Sequence, residues 1–256
     1  MPVFEVIKYI FIVNFLIVFL EYFYSMYKKD GIYSKFGTLN NIANGIVLNL
    51  ISARMFAIYM IFFLGYFNFI NFNTSINIYT FILCLFFVDF MYYVFHLAHH
   101  KILLLWTLHS VHHGDNKLNL STALRVSWFE QFYIYLIFVP VLLAGFKPAV
   151  AFLAFYVLSE YQFYCHSQYF KLPKFFNLFF ITPNNHRTHH DQVSTNQNSN
   201  FGGVFSIWDR MFGTYTKEIN EFNPGIKNFK EENFLRFEFV PIINYVKHIS
   251  SKIYKK

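Results

Sequence analysis

Charge and cysteine are the two things this sequence has little of. Only 14% of its 256 residues are charged, against roughly a quarter in soluble domains, which excludes an ordinary water-facing globule. The two cysteines, Cys84 and Cys165, are far apart and each lies in apolar surroundings. They make neither a zinc pair nor a disulfide framework and read as buried structural thiols. There is no glycine-rich nicotinamide or flavin loop, no cysteine-ligated cluster and no haem module in these residues. The 21 Lys and Arg exceed the 14 Asp and Glu to give a net charge of +7. No Arg-rich or aromatic nucleic-acid module accompanies that charge, which favours a membrane surface and excludes nucleic acid as a partner.

Apolar surface is what the chain has in excess. It is 55% hydrophobic and 23% aromatic, with 37 Phe and 19 Tyr, more than one aqueous core can hide. Residues 9–20, YIFIVNFLIVFL, flanked by Lys8 and Glu21, are long enough with their borders to span a bilayer. They lack a basic leader and a small-residue cleavage site and read as a retained anchor. A polar loop, KKDGIYSKFGTLNN, leads to a second apolar stretch from Ile46 to Phe72, interrupted by Arg54. Arg54 either snorkels to the near interface or marks a segment lying along the membrane surface. The third run, Ile76 to Phe95, carries one charge, Asp89. The runs Phe129–Gly145 and Ala149–Tyr164 are separated by GFKP, where Gly145 and Pro148 suit the tight reversal of a membrane hairpin.

The first loop holds Lys28, Lys29 and Lys35, the segment FNFINFNTS holds no Lys or Arg, and the last residues are KHISSKIYKK. Basic segments stay cytoplasmic, and five apolar crossings starting outside satisfy that rule. The expected fold is all-α: a polytopic integral membrane protein with four to five transmembrane or hairpin helices and a cytoplasmic histidine-rich helical cap. Its expected parts are an anchor region over 1–83, a site domain over 84–215 and a basic tail over 216–256. The tail is either solvated or a short surface helix on anionic lipid.

Histidine is the residue that carries chemistry. His96, His99 and His100 fall as H-x-x-H-H; so do His109, His112 and His113, and again His186, His189 and His190. On a helix, positions i, i+3 and i+4 share one side with Cβ atoms about 5–6 Å apart, and two imidazoles so placed reach one metal about 2 Å away. Three such faces hold nine imidazoles, too many for one ion, so two metals are the natural count. An all-nitrogen shell suits Fe, Zn, Cu or Ni. By spacing alone His166, in YCHSQ, reads as structural, and His248 reads as an interfacial anchor. Asp89 lies seven residues before His96 on the same helix face. A carboxylate in an apolar span needs a partner, and that partner is either a ligand imidazole or Arg54.

These residues resemble the fatty acid hydroxylase/sterol desaturase superfamily of integral membrane, non-haem di-iron oxidases. The resemblance runs from DFMYYVFHLAHH through LLWTLHSVHHGDNKLNLSTALR and YCHSQ to TPNNHRTHH and SNFGGVFSIWDRMFGTY, roughly residues 84 to 215. It implies metal ligands at His96, His100, His109, His112, His113, His166, His186, His189 and His190; the resemblance alone promotes His166. It implies supporting roles for Asp89, Asn185 and Asp209. The first motif of the family is H-x-x-x-H, which leaves His99 free; it would then sit about 60° round the helix from His96. Asn185 stands where the family often has His or Gln.

The implied reaction uses two Fe ions, or Zn as purified, with O2 as co-substrate to hydroxylate or desaturate an unactivated C–H bond of a fatty acyl, sterol-like or ether lipid drawn from the bilayer. Phe90, Tyr92 and Tyr93 either line the lipid's route or simply pack. Two rivals stand beside this reading: a membrane metal-binding or transport protein, and a catalytically silent relative with a structural di-zinc site. Transport would place ligands along a path within the spans, whereas here the clusters follow or lie outside the apolar runs.

Overall fold

The computed structural model describes residues 3–66, 74–219, 221–227 and 233–253. Among them the regular structure is helical, with only two isolated bridge pairs, Phe180–Phe205 and Asp191–Pro224. The helices are α1 (Val3–Lys28), α2 (Lys35–Tyr66), α3 (Ile78–Lys101), α4 (Leu103–His113), α5 (Phe138–Leu143), α6 (Pro148–Cys165), α7 (Pro183–His189), α8 (Ser194–Gln197), α9 (Ile207–Met211) and α10 (Phe234–Ile253). Four short 3-10 turns lie between them, over Leu120–Leu124, Trp128–Phe132, Ile134–Ile137 and Lys174–Leu178.

Two helices, over Lys35–Phe63 and Ile78–Lys101, are long and apolar enough to cross a membrane. At 1.5 Å per residue the 24 residues of α3 extend about 36 Å, more than the roughly 30 Å hydrocarbon core. The protein is an integral membrane protein. Leu50, Ile58, Ile61, Ile82 and Leu83 project outward from these helices, where lipid tails satisfy them.

Several expectations meet a different local structure. The polar stretch before Ile46 is mostly helix: α2 begins at Lys35, where the Ser34 hydroxyl accepts from the Gly37 amide at 3.0 Å. Asparagine reads as loop, but here tertiary partners satisfy it. Asn41 donates to Asp115 (2.8 Å) and Ser121 (3.1 Å), and Asn44 donates to the Leu124 and Val126 carbonyls. Arg54 does not break α2; it is exposed and donates to the Leu50 carbonyl one turn back at 2.7 Å. The end of the second apolar stretch, residues 67–72, and most of FNFINFNTS lie outside the described residues.

The reversal at GFKP is present, with Gly145 at φ +85° and Pro148 opening α6, the position where its missing N–H costs nothing. Its first arm is not a long helix. Two 3-10 turns lead into the six-residue α5, which packs with α3 and α6 around Val88, Phe138, Ala151 and Leu158.

The C-terminal segment is a 20-residue helix, not a free tail. It packs on α4 and α2, with Phe237 and Glu238 buried.

Candidate metal centre

Four local features bring the histidine motifs face to face. An Asn77–Thr80 capping box starts α3. At the other end, extended Ile102 (φ −102°, ψ 116°) closes α3 and opens α4, folding His109, His112 and His113 back on His96 and His100. A Thr182–Asn185 capping box with Pro183 at its start fixes α7, and His166 caps α6.

The nine imidazoles expected from the resemblance fall into two neighbouring groups. His96, His100, His109, His113 and His189 form one; His112, His166, His186 and His190 form the other. Within each group the candidate ligand atoms lie within 4.8 Å of one another. The grouping does not follow the motifs. Each i, i+4 pair stays together, 40° apart on the helix, while in the second and third motifs the middle residue, 60–100° away, turns to the adjoining site. His112 thus leaves His109 and His113 for the second group, and His189 leaves His186 and His190 for the first. The groups touch: the His113 and His190 rings stack at 4.4 Å.

Hydrogen bonds set the imidazole tautomers. Nδ1 of His96 donates to the Phe201 carbonyl (3.0 Å), His112 to Arg125 (3.0 Å), His166 to Gln162 (2.8 Å) and His189 to Ser199 (2.7 Å). Each neutral ring then presents a bare lone pair at Nε2. Nε2 of His96, His100, His109, His113, His189 and His190 is buried without a hydrogen-bond partner, an arrangement proteins avoid. In the second group, the His112 and His166 Nε2 atoms face each other at 3.2 Å although both carry lone pairs and no proton. They repel unless a cation lies between them. Ligand nitrogens on one ion with bonds near 2.1 Å are at most about 4.2 Å apart, so closure by a few tenths of an ångström suffices. The residues fit two transition-metal ions held by imidazole.

His99 differs from every member of these groups. Its Nδ1 donates to the Phe95 carbonyl at 2.8 Å, its Nε2 accepts from the Tyr133 hydroxyl at 2.9 Å, and its ring stacks on that of Tyr133. Both nitrogens are occupied.

Burial pushes His109, His113, His186 and His190 well below the usual imidazole range, and neighbouring imidazoles add to the effect. Burial also takes His189 down to about 3. Neutral rings are the form that binds metal. Glu130 is buried beside His109, with Oε1 3.4 Å from Nδ1. Burial pushes its carboxyl up, partly offset by His99 and His112, so the contact is a hydrogen bond to a neutral ring rather than an ion pair. A bound cation reverses that balance and favours the carboxylate.

Asp89, Asp209 and Asn185 bond no imidazole. Asp89 accepts from the Val204 amide (2.6 Å), the Phe205 amide (3.1 Å) and Trp208 Nε1 (2.9 Å); neither a ligand ring nor Arg54 is its partner. Asp209 accepts from the Phe201 and Gly202 amides and the Thr214 hydroxyl at 2.7–2.8 Å. The two carboxylates hold FGGVF at its two ends, Asp209 at Phe201 and Gly202 and Asp89 at Val204 and Phe205, and the Phe201 carbonyl of that segment holds His96. Asn185 caps α7. Phe90 and Tyr93 pack on Trp208 and Phe212, and Tyr92 lies against His96.

Sequence reasoning missed Glu130, Tyr133 and a support running from α10. The Phe237 ring lies 4.1 Å from the Arg125 guanidinium, Arg125 Nε donates to the Val111 carbonyl at 2.7 Å, and the Arg125 carbonyl holds His112. A charge in the apolar run after the second motif was the available signal for Glu130.

The histidine groups and the FGGVF clamp fall within the segment 81–214, which matches the fatty acid hydroxylase family model. The chain belongs to that family. It is 39% identical over 146 residues to alkylglycerol monooxygenase of Caenorhabditis elegans, covering 57% of this chain and 28% of that protein. The human alkylglycerol monooxygenase is 37% identical over 134 residues, covering 51% of this chain and 29% of that protein. Ornithine lipid hydroxylase OlsE of Rhizobium tropici is 30% identical over 131 residues, covering 50% and 39%. The chain thus spans less than a third of these alkylglycerol monooxygenases. No solved structure matches it.

Proposed function

We propose that residues 84–215 form an O2-dependent lipid hydroxylase domain with two irons, one in each histidine group. The carrying observation is the pair of adjoining, buried imidazole groups whose Nε2 lone pairs converge without protons between them. In this reading all nine grouped histidines are ligands and His99 is not. The bound irons supply O2 activation and removal of hydrogen from an unactivated C–H bond. The balance is R–H + O2 + two electrons + two protons giving R–OH and water, with electrons from a separate donor protein. The chain's own work is to hold neutral imidazoles by their Nδ1–H groups, to exclude water, and to bring a lipid chain alongside.

Similarity to alkylglycerol monooxygenases and to an ornithine lipid hydroxylase favours hydroxylation, with an ether or acyl lipid as substrate. The loop between α1 and α2, bordered by Lys28, Lys29 and Lys35, lies at the histidine end. Its Ile32 carbonyl accepts from Asn119 and its Asp30 accepts from Tyr169. Under the positive-inside rule that end faces the cytoplasm.

The test is iron-loaded protein in lipid nanodiscs with a chemical reductant, isotopically labelled O2 and a panel of alkylglycerols and acyl lipids. The expected product is a lipid carrying one labelled oxygen atom. Loaded, folded protein that incorporates none into any lipid refutes the proposal.

A further inference from the structure

Successive residues of α10 turn by about 100°, which sorts its side chains into three faces. Phe237 and Glu238 face inward and are buried. The Phe237 ring covers the Arg125 guanidinium at 4.1 Å, and the Glu238 carboxylate accepts from the Ser127 hydroxyl (3.0 Å) and the Trp128 amide. Leu235, Phe239, Ile243 and Val246 fall within about 80° of arc on a second face and are 42–56% exposed. Asn244 and Lys247, both exposed, lie on a third face between the other two.

Place, continuity and charge together identify what covers the apolar face. The Phe234 amide at the start of α10 donates to Asn40 Oδ1 of α2 at 3.2 Å. The 29 apolar residues of α2 from Lys35 to Phe63 extend about 43 Å, about 13 Å more than the hydrocarbon core. Asn40, Asn41 and Asn44 put that surplus at the Lys35 end, so α10 begins at the membrane boundary. Phe239 then packs on Trp128 and Phe129, with ring centres 6.1 and 6.0 Å away. From there the chain follows α2 inward: Asn44 holds the Val126 carbonyl, and the Tyr59 hydroxyl, further along α2, holds the Phe132 carbonyl. Phe132 and Leu136 are themselves half exposed, so the apolar face of α10 continues onto the lipid-facing surface of the spans. Lys247 borders that face, Lys252, Lys255 and Lys256 follow in sequence, and the only carboxylate from 234 to 256 is the inward Glu238. Lysine is depleted where proteins meet proteins. It is enriched on the polar side of helices lying in a membrane interface, where anionic lipid attracts it.

We propose that α10 lies in the plane of the membrane interface, its apolar face among acyl chains and its lysines on anionic headgroups, and that this contact holds it against Arg125. Arg125 Nε donates to the Val111 carbonyl and the Arg125 carbonyl orients His112. When α10 lifts from the lipid, that corner of the second histidine group loses its outer wall. The inference needs no bound metal and stands apart from the lipid-oxidation reading.

The test uses the full chain in nanodiscs of phosphatidylcholine alone and of phosphatidylcholine with phosphatidylglycerol in equal parts. A thiol-reactive fluorophore is attached through Val246→Cys on the apolar face or Asn244→Cys on the polar face, about 160° round the helix; Cys84 and Cys165 are buried. With phosphatidylglycerol present, lipid brominated on its acyl chains should quench the label at 246 and aqueous acrylamide should not, and the label at 244 should show the reverse. Lys247→Gln should speed hydrogen exchange in peptides from 234–253 about fivefold in the anionic discs and leave it unchanged in phosphatidylcholine alone. Peptides from 108–126 should follow α10. Acrylamide quenching at both positions makes α10 a solvated helix and overturns the proposal. Shielding of 246 from both quenchers makes its occupant a protein, whether a second copy or another chain, and overturns it too. Exchange in 234–253 that responds neither to phosphatidylglycerol nor to Lys247→Gln overturns the anionic-lipid partner. A response in 234–253 with 108–126 unmoved overturns the link to Arg125.

Discussion

Replacing Gly203 by alanine adds one methyl group where the FGGVF segment has no room for it. An ideal Cβ there lies 2.7 Å from Asp89 Oδ1 and 2.9 Å from Leu158 Cγ and Cδ1, against about 3.5 Å for comfortable contact. Asp89 cannot withdraw, since it accepts from two amides and an indole, and Leu158 is fully enclosed in the main core. The segment must therefore move by about 0.6–0.8 Å, the shortfall from van der Waals contact. A movement of that size takes the Phe201 carbonyl, now 3.0 Å from His96 Nδ1, beyond hydrogen-bond range. Overpacking costs about 1–3 kcal/mol and the lost hydrogen bond about 1 kcal/mol, together about 2–4 kcal/mol. For a chain of this size that is a fall in Tm of about 5–15 °C. Losing the acceptor that orients a ligand imidazole should weaken metal binding by about 10–100-fold, in the first group and not the second. Thermal unfolding in detergent micelles and metal analysis after dialysis measure both. Leu158→Ala makes room, so the double variant should cost less than the sum of the two singles, the non-additivity expected of residues in contact. A Tm within about 1 °C of the parent with both metals retained, or strict additivity with Leu158→Ala, refutes the clamp.

Protein purified with iron supplied should hold about two metal ions, since nine imidazoles exceed one coordination sphere; metal analysis giving one or none in folded, active protein sinks the di-metal reading. His189→Ala should lose the first ion and His112→Ala the second, and both should abolish lipid oxidation while still inserting in the membrane; retained turnover in either contradicts the grouping. His99→Gln should keep metal and most activity, because its bonds to Phe95 and Tyr133 are structural, whereas His100→Gln should lose both; identical behaviour of the two variants makes His99 a ligand. In metal-stripped protein, acid should destabilise the fold. His189 sits near 3 when folded against an ordinary 6.5, so the unfolded chain takes up protons first and stability falls as pH drops from 6.5 toward 3; denaturant titrations flat across that window argue against buried neutral rings. Glu238 works in the opposite sense: burial raises it from 4.5 to about 7, so its ionisation costs stability as pH rises through that window, and Glu238→Gln should gain on the parent between about pH 5 and pH 8. A constant gap between the two proteins removes that assignment.

What the sequence made legible follows from which signals are local. The apolar runs of α2 and α3 and the turn at Gly145 and Pro148 could be read directly, because hydropathy, positive φ and proline's missing donor act within a few residues. The i, i+4 pairing of His96 with His100, His109 with His113 and His186 with His190 could be read for the same reason. The crossing of His112 and His189 to the opposite group could not. It depends on Ile102 breaking the chain between two helices, and no proline or glycine marks that break. The same limit explains His99, which occupies the middle position of its motif as His112 and His189 do. Helix geometry makes the three equivalent; only the presence of Tyr133, thirty-four residues on in sequence, gives His99 a different partner. Asp89 shows the limit from the other side. A buried carboxylate demands donors, and that demand was readable, but two of its three donors, beside the Trp208 indole, are backbone amides of Val204 and Phe205, which any residue type can offer. Backbone partners carry no sequence signature, and here they also orient four of the nine grouped imidazoles. The candidate centre is thus written in the sequence as its imidazoles, while the geometry that brings them together is written in the fold.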